Sequence, residues 1–251
     1  MVAGHDIVTA AILVIGDEIL SGRTKDKNIG YIAEYLTNIG IDLREVRVVP
    51  DVEEEIVAAV NALRARYAHV FTTGGIGPTH DDITADAIAK AFGVSIAVDE
   101  GAVAMLLERI PKADLNESRL RMARIPKGAT LIVNSVSKAP GFSIGNVHVM
   151  AGVPTIMQAM LDALAPSLAT GRKVLSRSVA AGLKEGDIAA PFGALQKSYP
   201  DVTMGSYPSY EEGVGFTTTL VLCSRDEARL AEAEAAVTAM LAEVRARIAR
   251  P

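Results

Sequence analysis

Between Thr72 and Thr84 the chain reads Thr-Thr-Gly-Gly-Ile-Gly-Pro-Thr-His-Asp-Asp-Ile-Thr. Glycines at 74, 75 and 77 let the backbone turn tightly and approach a ligand closely, so that successive N–H groups can point at an anion. A phosphate or pyrophosphate is the natural occupant, and the alternative is a plain tight connection from strand to helix. No Gly-Lys-Ser/Thr follows, so this is not a Walker A loop, and His80 stands where a dinucleotide fingerprint needs its last glycine. Asp81 and Asp82 come next. A carboxylate beside phosphate oxygens is repulsive unless a divalent cation lies between them, so the pair points to Mg²⁺-type coordination or to orientation of an attacking water. Complementing a helix dipole at a solvated turn is the alternative reading.

Three further clusters fall at the ends of apolar runs. Gly16-Asp17-Glu18-Ile-Leu-Ser-Gly22 leaves the first strand at its C-terminal end, where open α/β sheets place ligands. Beyond it, Asp26 or Asn28 caps a helix or touches the ligand, and Asp51, between a strand and a helix, reads as a cap or a catalytic acid. Lys138-Ala-Pro140-Gly141-Phe142 is paired with Ala151-Gly152-Val-Pro154. Here Pro154 suits the first position of a helix, Gly152 offers a second anion-facing turn, and Lys138 is a candidate phosphate partner. Arg121 and Arg124 either reach the same ligand or face water.

The elements that must carry these loops follow from periodicity. Strands are expected at Ala10–Ile15, Leu43–Val49, His69–Thr73, Thr130–Val133 and Val147–Met150, alternating with helix-period segments as in a mostly parallel sheet. Ile29, Ile32, Ala33 and Leu36 make one helix face that Gly40 ends, and Asp51, Thr84 and Pro154 open three more helices. After the linker 169–173 a small β-α-β-β-α unit is expected: strand Val174–Ala181, helix Ile188–Tyr199, strands Val202–Tyr207 and Val214–Cys223, helix Asp226–Ile248. The chain is therefore divided into domains 1–170 and 171–251.

Composition narrows the classes. Of 251 residues 49% are hydrophobic, 4% are aromatic and none is Trp, with 21 glycines and a net charge of −5. This suits a folded α/β protein and handicaps nucleic-acid binding, which draws on basic excess and stacking rings. Basic and acidic residues balance in 171–251, so the whole negative charge belongs to the first domain. That neutrality, and the lack of a Gly-x-x-Gly, also count against an RNA-binding second domain. Cys223, in an apolar run, reads as a core thiol, and no zinc motif is present. The run Thr9–Ile15 is too short to span a bilayer, so a cytoplasmic protein without membrane partners is expected.

Taken together these segments resemble the molybdenum-cofactor biosynthesis domain shared by the molybdopterin adenylyltransferases and by competence/damage-inducible protein A. The resemblance rests on Gly16-Asp-Glu-Ile-Leu-x-Gly22, Asp26-x-Asn28, Val49-Pro-Asp51, the stretch Thr72–Thr84, Ala139-Pro-Gly-Phe142 and Gly152-Val-Pro154, over about residues 9–168. The second unit, with Gly205-Ser-Tyr-Pro208, is similar to the small domain that follows in competence/damage-inducible protein A. The resemblance implies a three-layer α/β/α molybdopterin-binding-type domain plus the small β-α-β-β-α domain.

It also implies Asp51 and Asp82 as the functional acids; beside them Lys138 is expected as a third catalytic group that stabilises charge on the departing phosphate. Gly16, Asp17, Asn28, Thr73, Gly74, Gly75, Gly77, Asp81, Pro140, Gly141 and Gly152 are the expected substrate contacts, and Asp17 and Asp82 the metal ligands. The implied activity is metal-dependent cleavage of a pyrophosphate in ADP-ribose or FAD, with molybdopterin binding or adenylylation as the alternative. The cofactor is then a divalent metal such as Mg²⁺, with molybdopterin a possible ligand, and a homo-oligomer, dimer or trimer, is expected. Two departures are visible: Ala151 stands for a common Pro and Ile156 for a common Glu. The amidase domain of many relatives is not expected here, since the chain stops at Pro251.

Overall fold

The computed structural model describes residues 7–211 and 215–249. It separates into two compact units, Met1–Gly171 and Arg172–Pro251. In the first, the chain runs β1 (Val8–Ile15), α1 (Asp17–Leu20), α2 (Asn28–Ile39), β2 (Ile41–Val49), α3 (Glu53–Arg64), β3 (His69–Thr73), α4 (Thr84–Phe92), β4 (Ile96–Val98), α5 (Glu100–Leu107), α6 (Glu117–Arg121), β5 (Arg124–Pro126), β6 (Thr130–Ile132), β7 (Gly141–Ile144), β8 (Val147–Met150) and α7 (Pro154–Leu164).

Six strands form one sheet in the order β2-β1-β3-β8-β7-β6. β1 is parallel to β2 and β3, β3 is parallel to β8, and β7 runs antiparallel to β8 and β6. From Ala10 to Ile15 every β1 residue is buried, because helices cover both faces. On one face Ala10, Ile12 and Val14 pack with Ile32 and Leu36 of α2 and Met157 and Leu161 of α7. On the other, Ala11, Leu13 and Ile15 meet Ile56, Val60 and Leu63 of α3 and Ala87 and Ile88 of α4. Because β2 and β3 flank β1 on opposite sides, the connections diverge at its C-terminal end and leave a crevice there.

The second unit runs β9 (Leu175–Ala180), α8 (Glu185–Ser198), β10 (Thr203–Glu211), β11 (Gly215–Ser224) and α9 (Glu227–Ile248), with sheet order β10-β11-β9, all antiparallel. Leu220 and Leu222 of β11 pack against Ile188 and Phe192 of α8 and Leu230, Val237 and Leu241 of α9. Asp226 caps α9 by accepting the Arg229 N–H. The expected β-α-β-β-α order holds, and Val214, the first residue expected in the fourth element, lies outside the described residues.

Several local expectations are corrected. Asp51 does not cap α3, whose preceding residue is Val52; its carboxylate accepts the Asp17 N–H instead. Thr84 does not cap α4 but is its first residue, and its hydroxyl donates to the Gly74 carbonyl at 3.0 Å. Asp26 lies one residue before the cap position of α2, Lys27, and its carboxylate accepts from the N–H groups of Asn28 and Ile29. Cys223 is only partly buried, 3.6 Å from the Ser176 hydroxyl, since alternation turns Leu222 and not its neighbour toward the helices. The short strands β4, β5 and β7 are additions that periodicity does not reveal.

At the N-terminal end of β3, far along the strand from the crevice, two buried histidines form a relay. His69 Nε2 lies 3.0 Å from the Ala169 carbonyl, His69 Nδ1 lies 3.1 Å from His148 Nε2, and His148 Nδ1 lies 2.9 Å from the Ser143 hydroxyl. A carbonyl can only accept, so His69 carries its proton on Nε2, His148 donates from Nε2, and Ser143 donates to His148 Nδ1. Each ring is thereby held neutral in one tautomer. Burial, reinforced by His69, pushes His148 down to about 3, and burial lowers His69 too. The unfolded chain protonates these rings below about pH 6.5 while the native His148 resists, so stability is full above that value and falls as pH drops toward 3. Chemical denaturation is expected to show a loss of about 2 kcal/mol from His148 alone between pH 7 and pH 5, from 1.36 kcal/mol per pH unit. His148→Gln is expected to reduce that slope.

Candidate active site

The C-terminal ends of β1, β2, β3 and β8 open into a cavity of about 860 Å³. Its floor is the turn after β3. Gly74 has φ +105°, and a Cβ there would lie 2.1 Å from the Ile15 carbonyl oxygen; Gly75 has φ +67°, and its Cβ would lie 2.1 Å from the Thr84 hydroxyl. The turn thus passes so close to β1 and α4 that only glycine fits at either position. Gly74→Ala is expected to cost about 2–4 kcal/mol, from backbone strain plus overlap, read as a lower urea midpoint.

Carboxylates crowd this floor. Asp51, Glu18, Asp81 and Asp82 all line the cavity. Gly16 and Gly77 leave room for two of them: a Cβ at Gly16 would lie 2.5 Å from Glu18 Oε2, and one at Gly77 would lie 2.6 Å from Asp82 Oδ2. Asp82 is held by Thr79, whose N–H and hydroxyl donate to Oδ2 at 2.8 and 2.5 Å. Asp51 accepts the Asp17 N–H at 3.0 Å. Burial raises the pKa of Asp51 from its ordinary value, the Asp17 N–H opposes this, and the charges of Asp17, Glu18 and Asp81 push it further up.

The lining also includes apolar and basic groups: Ile156 and Met160 of α7, Ile110, Met122, and the arginines Arg109 and Arg119, which also donate to the Val136 and Asp114 carbonyls. Gly152, Val153 and Pro154 bring the start of α7 to the rim, where its positive end favours an anion. Arg124 instead grips Asp86 with two hydrogen bonds of 2.7 and 2.6 Å, and Arg121 donates to the Asp82 carbonyl, so both brace the loop and α4.

The expected site residues separate accordingly. Gly16, Gly74, Gly75, Gly77, Asp51, Asp81, Asp82 and Gly152 gather on the cavity. Asn28 and Thr73 line an adjoining chamber of about 220 Å³ that shares Gly74 and Gly152 with it. The Gly74 N–H is committed to the Met150 carbonyl at 3.2 Å. Asp17 is exposed and positions Asp51 through its backbone rather than lining the cavity. Lys138 has φ +66° and pairs with Glu108 at 2.6 Å; it does not itself line the cavity, although its neighbours Ser137 and Ala139 do. Pro140 borders a small recess behind the glycine turn. Gly141 is buried in β7, where a Cβ would lie 2.3 Å from the Val149 carbonyl oxygen, so its glycine is a packing requirement. Glu18, Arg109 and Arg119 are the additions; no motif marks the arginines, which arrive from the poorly periodic segment 108–119.

Residues 11–170 match the family model described as a probable molybdopterin binding domain. The chain belongs to that family. Residues 173–247 match a second model, the middle domain of FAD synthase. A protein of Pyrobaculum calidifontis is 36% identical over 211 residues, covering 80% of both chains, and one of Sulfurisphaera tokodaii is 36% identical over 218 residues, covering 82% of both. The crystal structure of the protein CinA with unknown function from Thermoplasma acidophilum superposes with a TM-score of 0.61 at 36% identity, covering 65% of this chain and 99% of that one. The chain is thus a CinA-like member of the molybdopterin-binding domain family, with a mostly parallel α/β sheet followed by a small antiparallel α/β unit. Among the described residues no helix is long and apolar enough to cross a membrane.

Proposed function

We propose that the cavity hydrolyses a nucleoside-diphosphate-linked pyrophosphate, ADP-ribose first and FAD second, releasing AMP. The observation that carries this reading is the meeting of a glycine turn, a helix N-terminus and the carboxylates of Glu18, Asp51, Asp81, Asp82 and Asp114 around one cavity at the sheet's C-terminal edge. The match of residues 173–247 to a domain of FAD synthase supports a nucleotide-type substrate.

The roles follow from position. Amides of Gly75 and Gly77 and the start of α7 hold the phosphates. Asp51 orients the attacking water and takes its proton, a role that suits a carboxylate of raised pKa. Arg109 and Arg119, rather than Lys138, stabilise charge on the departing phosphate.

A divalent cation fits these residues. Asp51 is raised first by burial and further by the charges of Asp17, Glu18 and Asp81, so negative charge gathers here, and the carboxylate donors are oxygens, as hard cations require. Among the described residues no three His, Cys, Asp or Glu side chains form a metal-holding group, so a cation here would need substrate phosphates as further ligands. Asp82 would hold it, leaving Asp51 to the water, and when bound it would neutralise phosphate charge and polarise the phosphoryl group.

Purified protein incubated with ADP-ribose or FAD and Mg²⁺, Mn²⁺ or Co²⁺ is expected to release AMP; no release from either would sink the reading. The family match favours a second reading, molybdopterin binding with or without adenylylation. Transfer of AMP from ATP onto molybdopterin, abolished by Asp82→Ala with binding intact, would select it.

A further inference from the structure

We infer that Arg121 is a positioning residue for Asp82: from behind the glycine turn it fixes the main chain that sets where the carboxylate points. This rests on the reading of Asp82 as the group that holds the cation, and adds what holds Asp82.

The contacts inside the loop are local. The Asp82 N–H donates to the Thr79 carbonyl at 3.3 Å, and the Thr79 N–H and hydroxyl donate to Oδ2. These bonds join residues three apart, so they shape the turn itself. The Asp82 carbonyl supplies the long-range tie, accepting from Arg121 Nη2 at 3.1 Å across 39 positions of the chain. A carbonyl held there fixes the plane of the peptide after Asp82, and with it the direction in which the side chain leaves the backbone.

The arginine stands there at a cost. Its Nε is buried without a hydrogen-bond partner, and the side chain borders the small recess lined by Gly75, Gly77, Met122, Ile125 and Phe142. An unpaired buried donor is destabilising, and more so on a charged group. A methionine would fill the same space without that penalty, so packing does not account for an arginine here. Its place relative to the site does. Arg119, two residues earlier on α6, lines the cavity, whereas Arg121 does not line it and acts through the Asp82 main chain.

Arg124 provides the contrast. It borders the same recess, but its guanidinium is committed to two hydrogen bonds with Asp86 of α4. Arg124→Met leaves that partly exposed carboxylate without its partner and leaves the bond from Arg121 to Asp82 in place. It is therefore expected to lower the melting temperature and to leave cation binding unchanged.

Mn²⁺ binding to the full chain with AMP present, read from the free-ion signal in electron paramagnetic resonance, tests the assignment. Arg121→Met is expected to weaken Mn²⁺ binding by about 10-fold, the scale of removing a group that orients a metal ligand, with the melting temperature held. Arg121→Lys keeps the charge and a donor and should recover part of that loss. The double variant Asp82→Asn/Arg121→Met should bind no more weakly than Asp82→Asn alone, because Arg121 acts through Asp82. Wild-type affinity in Arg121→Met, or a further loss of about 10-fold in the double variant, overturns the role. So does a fall in the melting temperature of Arg121→Met as large as that of Arg124→Met, which would make Arg121 a structural brace. A wild type that binds no Mn²⁺ overturns the cation reading itself, a distinct result.

Discussion

Asp82→Asn is expected to reduce AMP release from ADP-ribose by at least about 100-fold, the scale of losing a positioned group in proton transfer or metal binding. The fold should tolerate it. The Thr79 N–H and hydroxyl both donate to a single oxygen, Oδ2, and an asparagine carbonyl can accept both. The loop then keeps its shape while the site loses a negative charge, so melting temperature and activity separate. If the cation is held at Asp82, raising Mg²⁺ should partly restore the rate of Asp82→Asn. Near-wild-type rates in the variant would remove Asp82 from the reaction.

Asp51→Asn carries the second large effect, and its sign is opposite for stability and activity. Burial and the neighbouring carboxylates raise the Asp51 pKa, so the folded state releases this proton with more difficulty than the unfolded chain. The native state is unpenalised below the ordinary carboxylate pKa and loses stability as pH rises through that range to the raised native value. An asparagine never ionises and can still accept the Asp17 N–H. Asp51→Asn should therefore hold or raise the melting temperature at pH 7 while lowering kcat by about 100-fold or more. In the wild type, kcat/KM should fall on the acid side with an apparent pKa above that of a free Asp side chain, and a cation bound in the cavity should lower that pKa. A stability loss in Asp51→Asn would show that the charged carboxylate is a structural partner instead.

The glycine turn, the Gly40 helix end and the layer order were legible because each depends on a few adjacent residues, whereas Asp51 and Thr84 looked like caps and are not. Thr72–Thr84 announces its turn through glycines that contact with Ile15 and Thr84 makes obligatory, and Gly40 ends α2 in the left-handed conformation with φ 84°. What sequence could not show was direction. Lys138 is a plausible phosphate partner until its left-handed backbone turns it to Glu108. Asp17 looks like a ligand-facing acid, yet it works through its N–H while Glu18 reaches the cavity. Gly141 belongs to a glycine-rich loop by pattern and to a crowded strand by contact. Arg109 and Arg119 lay beyond reach for a different reason: segment 108–119 has little periodicity, and only long-range packing carries its side chains to the site.

The account stands most directly on one measurement: the rate of AMP release from ADP-ribose as Mg²⁺ is titrated, with wild type, Asp82→Asn and Asp51→Asn in parallel. The expected result is saturable, Mg²⁺-dependent release by the wild type, a rate at least about 100-fold lower in both variants, and melting temperatures that do not fall. Release that is independent of the metal and equal in all three proteins would contradict it.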